Sequence, residues 1–486
     1  MIALSAAEIA AIVGGTVTGA AAPGQAGTDP ARADPAGTFV TGPVVCDSRA
    51  AAPGALFAAL PGERVDGRDF AAVAVKAGAV AVLSHQPIPD VTDVPVIVTA
   101  DVTVALGALA REVLRRLPSA TVVGITGSSG KTSTKDLAAQ VVDRLGPTIA
   151  PVGSFNNELG LPLTVLRADE STRYLVLEMS ARGIGHIAQL CDIAPPRIGA
   201  VLNVGRAHAG EFGSLDAVAK AKGELVEALP GDGVAILNAD DPYVAAMAAR
   251  TSARIRRFSA SAARTADRMA DVRAAAISLD DRGRASFRMI AAGGSADVHL
   301  RLHGGHHVSN ALAAAAIAAE LGLDVPAIAD ALSHATARSK KRMELHERAD
   351  GVLVVNDAYN ANPDSTRAAI EALRHLTSTG RRGFAVLGYM AELGEFAEES
   401  HQEAGRLAAL AGVAGLIAVG ELAAPLLDGA RRELGWRGEA IAVPDAAAAV
   451  EALQNRLRPG DVVLVKASKS AGLWEVADGL LAEVDE

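Results

Sequence analysis

The chain has 486 residues, half of them apolar and only 3% aromatic, with a formal net charge of -10. Its length suggests about three domains, each able to bury a core. The acidic balance, with no Lys/Arg run, excludes a basic groove, so no nucleic-acid partner is expected; backbone N–H groups and a single Lys can still bind phosphates locally.

The first predicted element is a helix opening at Ser5-x-x-Glu8, a capping-box spacing. The stretch before and around it lacks a basic n-region and does not read as a secretory leader. The first block, residues 1–110, mixes short β-like runs (Leu56 to Leu60, Ala79 to Leu83, Val94 to Val98) with Gly/Pro turns. Residues Pro23 to Pro35 read as a loop.

The second block, residues 111–337, contains TVVGITG, YLVLEMS, RIGAVLNVG and GVAILNADDP. These are short, apolar, β-branched runs separated by helical stretches. The alternation predicts an α/β fold with a parallel sheet covered on both faces, whose ligands bind beyond the carboxyl ends of the strands. The apolar run Ala311 to Ala319 is too short for a bilayer, which takes about 20 residues, so no membrane insertion is expected. The third block, residues 338–486, repeats the pattern with GVLVVNDAYN, GFAVLGYM, GLIAVG and DVVLVKAS, and predicts a second α/β unit. The two cysteines, Cys46 and Cys191, are far apart and fit neither a disulfide framework nor a zinc spacing, as expected for the reducing cytoplasm.

The strongest chemical signal is Gly124-Ile-Thr-Gly127-Ser128-Ser129-Gly130-Lys131-Thr132, between an apolar strand and a helical segment. Glycines let the backbone curl so that N–H groups face a phosphate, and the helix N-terminus adds partial positive charge. Lys131 would reach the terminal phosphates and the Thr132 hydroxyl would hold Mg²⁺. Ile125 stands where the strict P-loop pattern has Gly, so this is the TGxxGKT variant.

Glu178, closing the run YLVLE, suits a hard cation, although a solvated strand-end carboxylate is the plainer reading of it alone. His208, after another strand of the same sheet, is a fair second ligand. Lys220 and Lys222 read from spacing as a solvated pair. Asp240 and Asp241 could contact metal or nucleotide, or simply form a turn. The carboxylates of AELGEFAEES read as a solvated face and exposed loop.

Ten segments in order, among them CDSRAAAPGALFAALPGERVDGRDF, GITGSSGKTSTKD, SFNNELGLPLTVL, NVGRAHAGEFGS, NDAYNANPDST and VKASKSAG, resemble the Mur ligase family along essentially the whole chain. The resemblance implies three domains: an N-terminal domain binding the UDP end of the substrate, a central ATPase domain, and a C-terminal Rossmann-like domain that closes over ATP. It implies an ATP- and Mg²⁺-dependent ligase joining D-alanyl-D-alanine to the C-terminal carboxylate of a UDP-N-acetylmuramoyl-tripeptide through an acyl phosphate; nothing in the sequence demands more than a monomer.

By the same resemblance Ser48 and Arg49 lie near the uridine nucleotide, and Asn156 and Asn157 bind substrate. Gly127 to Ser133 (with Ser128, Ser129, Gly130, Lys131 and Thr132) and Asn310, Arg342, Asp357, Asn360 and Asn362 bind ATP. Thr132, Glu178, His208 and a carbamylated Lys222 hold metal; Lys466 and Ser468 lie near the incoming dipeptide. Ser180, His307, Lys341, Tyr389 and Arg68 depart from the family pattern, placing nucleotide geometry and dipeptide contacts in question. Competing readings are another ligase of the superfamily, including a folylpolyglutamate synthase, a P-loop switch protein, or a scaffold that binds the nucleotide sugar without turnover.

Overall fold

The computed structural model describes residues 1–18, 37–62, 65–205, 209–261 and 270–482. The loop expected at 23–35 and the candidate ligand His208 lie outside them. Packing divides the chain into two compact units: residues 1–124, 146–179 and 188–197 form one, and 125–145, 180–187 and 198–486 the other.

In the first unit the helix Ala6–Val13 starts at Ser5 as expected. The Glu8 N–H donates to Ser5 Oγ (3.2 Å) and the Ser5 N–H to Glu8 Oε2 (2.9 Å). A five-stranded sheet runs in the order Thr16–Thr18, Val96–Val98, Ala79–Ser84, Ala55–Ala59, Val44–Val45. All its pairs are parallel except the first. Ala55–Ala59 is buried throughout, which is why it reads as an unbroken apolar run. The strands Thr121–Thr126, Tyr174–Glu178 and Thr148–Ile149 are neighbours in that order, and residues 121–124 of the first count with this unit.

In the second unit, parallel strands Ile198–Val201, Val234–Asn238, Arg254–Ser259 and Val272–Leu279 lie side by side. Two antiparallel strands, Arg284–Ala291 and Gly294–His303, extend that row. The Ala-rich run is a buried helix, His307–Glu320, packed against the helix Lys131–Val142. A six-stranded sheet follows in the order Glu344–Glu347, Leu353–Asn356, Val462–Lys466, Gly383–Leu387, Gly415–Val419, Glu439–Val443, parallel but for its first pair. Apolar cores cover both faces of it. Among the described residues no helix is long and apolar enough to cross a membrane.

Candidate active site

The phosphate loop is built by the sequence around it. Strand Thr121–Thr126 delivers the chain, and Gly130, at φ 77°, turns it into the helix Lys131–Val142. That φ favours glycine, and a Cβ there would also press on the Asn310 side chain at 2.6 Å. Glycine at the N-cap contributes no capping side chain, so the first turn keeps the electropositive end that suits a phosphate. Lys131 curls back, its Nζ donating to the Gly127 carbonyl (2.6 Å). Thr132 and Ser128 are buried.

The loop is fastened to the segment after strand Ile198–Val201. Ser129 N–H donates to Asn203 Oδ1 (2.8 Å), and Asn203 Nδ2 donates to the Ser129 carbonyl (3.2 Å). Ser128 Oγ donates to the Gly205 carbonyl (3.1 Å) and accepts from the Gly205 N–H (2.8 Å). From the C-terminal part of the chain, Asn362 Nδ2 donates to the Ser128 carbonyl (3.4 Å), while its Oδ1 caps the helix Pro363–Leu376. Asn203 was not singled out by sequence reasoning; a lone Asn at a strand end carries no pattern. Asp241 accepts from the N–H groups of Val204 (2.8 Å) and Val244 (3.1 Å), and Asp240 from Ser259 Oγ (2.6 Å). These two carboxylates thus cap and tie turns.

Lys222 overturns the reading from spacing. It lies on the helix Leu215–Glu227 and is 2% exposed. Burial, with the Lys131 charge adding to it, holds its amine well below the usual lysine value. An uncharged buried amine is the form that can take up CO₂. Two residues on, buried Glu224 accepts the Gly185 N–H (2.6 Å), fixing the loop that follows Met179. Sequence reasoning missed this contact too.

The C-terminal candidates gather at the ends of strands Leu353–Asn356 and Val462–Lys466. Buried Lys466 donates to Asp357 Oδ2 (2.6 Å) and the Asn360 carbonyl (2.8 Å), and Asp357 Oδ1 accepts the Met343 N–H (3.1 Å). Ser468 Oγ accepts from the Ala391 N–H (2.9 Å). The Arg342 guanidinium stacks on Tyr359, 4.3 Å from the ring centroid. Lys341, one of the departures from the family pattern, adopts φ 60°, with its Nζ 3.8 Å above the Trp474 ring. Asn310 and His307 are buried together, Asn310 Nδ2 lying 3.4 Å from His307 Nδ1; burial and the neighbouring His306 keep that imidazole well below its ordinary pKa.

In the first unit Glu178 ends its strand almost fully buried, and Asn156 Nδ2 donates to its Oε1 (2.7 Å). Asn157 Oδ1 accepts the Gly160 N–H (2.9 Å), tying the turn before the helix Gly160–Val165. Ser48 is buried in a 3-10 turn. Arg49 is exposed, and its bonds to Asp47 hold that carboxyl down at about 2.

Taken unit by unit, the donors suit a hard divalent cation: in the second unit the buried Thr132 hydroxyl on the first helical turn and the Lys222 amine able to become a carbamate, and in the first unit the buried Glu178 carboxylate already held by Asn156. Among the described residues no three His, Cys, Asp or Glu side chains converge.

Three family models match in order: "Mur ligase family, catalytic domain" over residues 42–121, "Mur ligase middle domain" over 125–318, and "Mur ligase, glutamate ligase domain" over 341–469. A UDP-N-acetylmuramoyl-tripeptide–D-alanyl-D-alanine ligase of Mycobacterium tuberculosis (strain ATCC 25618 / H37Rv) is 48% identical, covering 99% of this chain and 98% of the relative. The enzyme of that name from Escherichia coli (strain K12) is 36% identical over 90% of this chain and 93% of its own length. Among solved structures, MurF from Acinetobacter baumannii superposes with a TM-score of 0.84 at 30% identity, covering 99% of both chains. MurF from Thermotoga maritima in complex with ADP gives 0.77 at 29% identity, over 92% of this chain and 98% of that one. Matched from residue 42 to residue 469 and nearly half identical to a relative along almost its whole length, the chain belongs to the Mur ligase family.

Proposed function

We propose that this chain is an ATP-dependent ligase joining D-alanyl-D-alanine to the C-terminal carboxylate of UDP-N-acetylmuramoyl-tripeptide. The phosphate loop carries the chemical half of this reading: Lys131 folded over Gly127, with the loop fastened by Asn203 and touched by Asn362. The names of relatives up to 48% identical identify the two substrates.

A carboxylate is a poor acyl donor because its leaving group would be oxide. A carboxylate oxygen attacks the γ-phosphorus of ATP; the new O–P bond forms as the bond to the β-phosphate oxygen breaks, and ADP leaves. The amine of D-alanyl-D-alanine then attacks the acyl carbon. A C–N bond forms, a proton leaves the nitrogen, and phosphate departs with the former carboxylate oxygen. Lys131 and the loop amides hold the phosphoryl charge as it moves. Mg²⁺, when bound, neutralises charge on the phosphate oxygens, with Thr132, Glu178, His208 and carbamylated Lys222 as its proposed holders.

The remaining assignments belong to the same proposal. Asn310, Arg342, Asp357, Asn360 and Asn362 serve the nucleotide; Lys466 and Ser468 serve the incoming dipeptide, Lys466 also holding Asp357 and Ser468 the turn at Ala391. Asn156, Asn157, Ser48 and Arg49 serve the UDP-linked peptide. The three blocks, divided near residues 110 and 337, act as three domains; three successive family models, which meet at 121–125 and 318–341, favour a threefold division. A reaction that consumes ATP and a UDP-linked precursor belongs in the cytoplasm.

The test is phosphate release from ATP with each amine and each UDP-linked peptide, singly and together. Strong dependence on both the tripeptide and D-alanyl-D-alanine is expected. Equal release with no acceptor amine would sink the proposal.

A further inference from the structure

We infer that Gly210 and Gly394 are positioning residues for this ligation: they form a junction of bare backbone that sets how closely the AELGE turn seats on the segment following residue 208. The inference rests on the ligase reading above.

Gly210 lies in the short helix Ala209–Phe212, and Gly394 opens a 3-10 turn, Gly394–Phe396. The Gly210 N–H donates to the Glu392 carbonyl (3.1 Å). A Cβ on Gly210 would stand 2.7 Å from the Leu393 carbonyl carbon and 2.8 Å from Gly394 Cα; a Cβ on Gly394 would stand 2.8 Å from Gly210 Cα. Side chains rarely approach so closely, and the atoms met are main chain, which cannot swing aside. Each glycine is therefore required by the other.

The turn also reaches the loop after Glu178. The side chain of Glu392 pairs with Arg182 (3.9 Å), while its carbonyl takes the Gly210 N–H. One turn thus meets both the loop that follows Glu178 and the segment that follows residue 208. It is braced from behind. The Met390 N–H donates to His401 Nε2 (2.9 Å), whose Nδ1 lies 2.6 Å from the Ala397 carbonyl, and the Ala391 N–H donates to Ser468 Oγ. Glu392 adopts φ 63° without being glycine. Strain of this kind persists where the surroundings impose it and clusters at working sites. The acidic side chains of AELGE read from sequence as surface decoration; the junction is made by the backbone they decorate.

Clash and strain can be separated experimentally. Gly210 is not at positive φ, so Gly210→Ala adds a clash without strain; Gly213, at φ 72° with nothing within 4 Å, gives strain without a clash. Gly394→Ala reads the junction from its other side, with Gly412 (φ 76°, also in open space) as its strain control. Displacing a reacting group by ~1 Å can cost about 10²-fold. Gly210→Ala and Gly394→Ala should therefore lower kcat for ligation at least ~10-fold. ATP affinity and melting temperature should stay near the parent's, and Gly213→Ala and Gly412→Ala should keep kcat within about twofold. If Gly210→Ala melts early, Gly394→Ala against Gly412→Ala decides the matter. Parent-like kcat in the junction variants, or equal losses in the controls, would overturn the inference. A parent enzyme showing no dependence on tripeptide and amine would instead overturn the ligase reading.

Discussion

Replacing Asn203 offers the sharpest test of how the phosphate loop is held. The side chain makes two bonds to one residue, accepting from the Ser129 N–H at 2.8 Å and donating to the Ser129 carbonyl at 3.2 Å. Its orientation follows from those partners, since only the amide oxygen can face an N–H. A typical bond contributes about 0.5–1.5 kcal/mol net, so Asn203→Ala removes roughly 2 kcal/mol of loop order. If ATP must restore that order, its affinity falls by up to ~30-fold. Asn203→Asp separates order from charge: it keeps the acceptor but sets a carboxylate against the Ser129 carbonyl oxygen and brings negative charge to a loop built for phosphate. It should bind ATP no better than the alanine variant. Calorimetric titration with MgATP, with thermal melts to confirm folding, reads both. Affinities within twofold of the parent, or tighter binding by Asp than by Ala, would refute the reasoning.

Lys131→Ala should lower phosphate release at least ~10²-fold, the usual scale for losing a charge that stabilises a transferring group; near-parent turnover would remove the loop from the chemistry. Lys222→Ala should lose turnover and regain part of it with a short carboxylic acid in the buffer, and a full concentration series without recovery would count against carbamylation. The depressed Lys222 amine also has a stability signature: between its lowered value and the ordinary one near 10.5, the unfolded chain binds a proton that the folded chain does not, so stability from this group rises with pH across that window. In CO₂-free buffer Lys222→Met should therefore melt above the parent near neutral pH, with the gap narrowing as pH rises; a constant gap in a pH series of thermal melts would contradict it. Glu178→Gln should raise the half-saturating Mg²⁺ concentration ~10-fold or more in ligation assays, and an unchanged Mg²⁺ titration would exclude Glu178 from the metal site.

The parallel strands were legible because strands buried on both faces become continuous apolar runs, as in Val462–Lys466 and Gly383–Leu387. The antiparallel pair Arg284–Ala291 and Gly294–His303 was not: one residue in two is turned outward, and the polar side chains of Arg288, Asp297 and His299 hide the strand. The loop announced itself because its chemistry is local, nine consecutive residues running from the end of a strand into the first turn of a helix. Asn203 gave no signal because its partner Ser129 is 74 residues away. Lys222 looked solvated because helix spacing cannot tell which face of a short helix the rest of the chain covers; here residues 221–226 are all buried. Asp240 and Asp241 were left open between metal and turn, and only their bonds to Ser259, Val204 and Val244 decide for the turn.

Lys341 stands at the junction between the middle and C-terminal family segments in a left-handed conformation that costs a non-glycine residue about 1–2 kcal/mol. Its ammonium on the Trp474 indole, its N–H to Glu344 and its carbonyl to Tyr359 offset that cost. A glycine would reach the same angles without penalty and would wander through many others. A side chain at this position trims the conformations open to the unfolded connector, so less disorder has to be quenched as the segment finds its place.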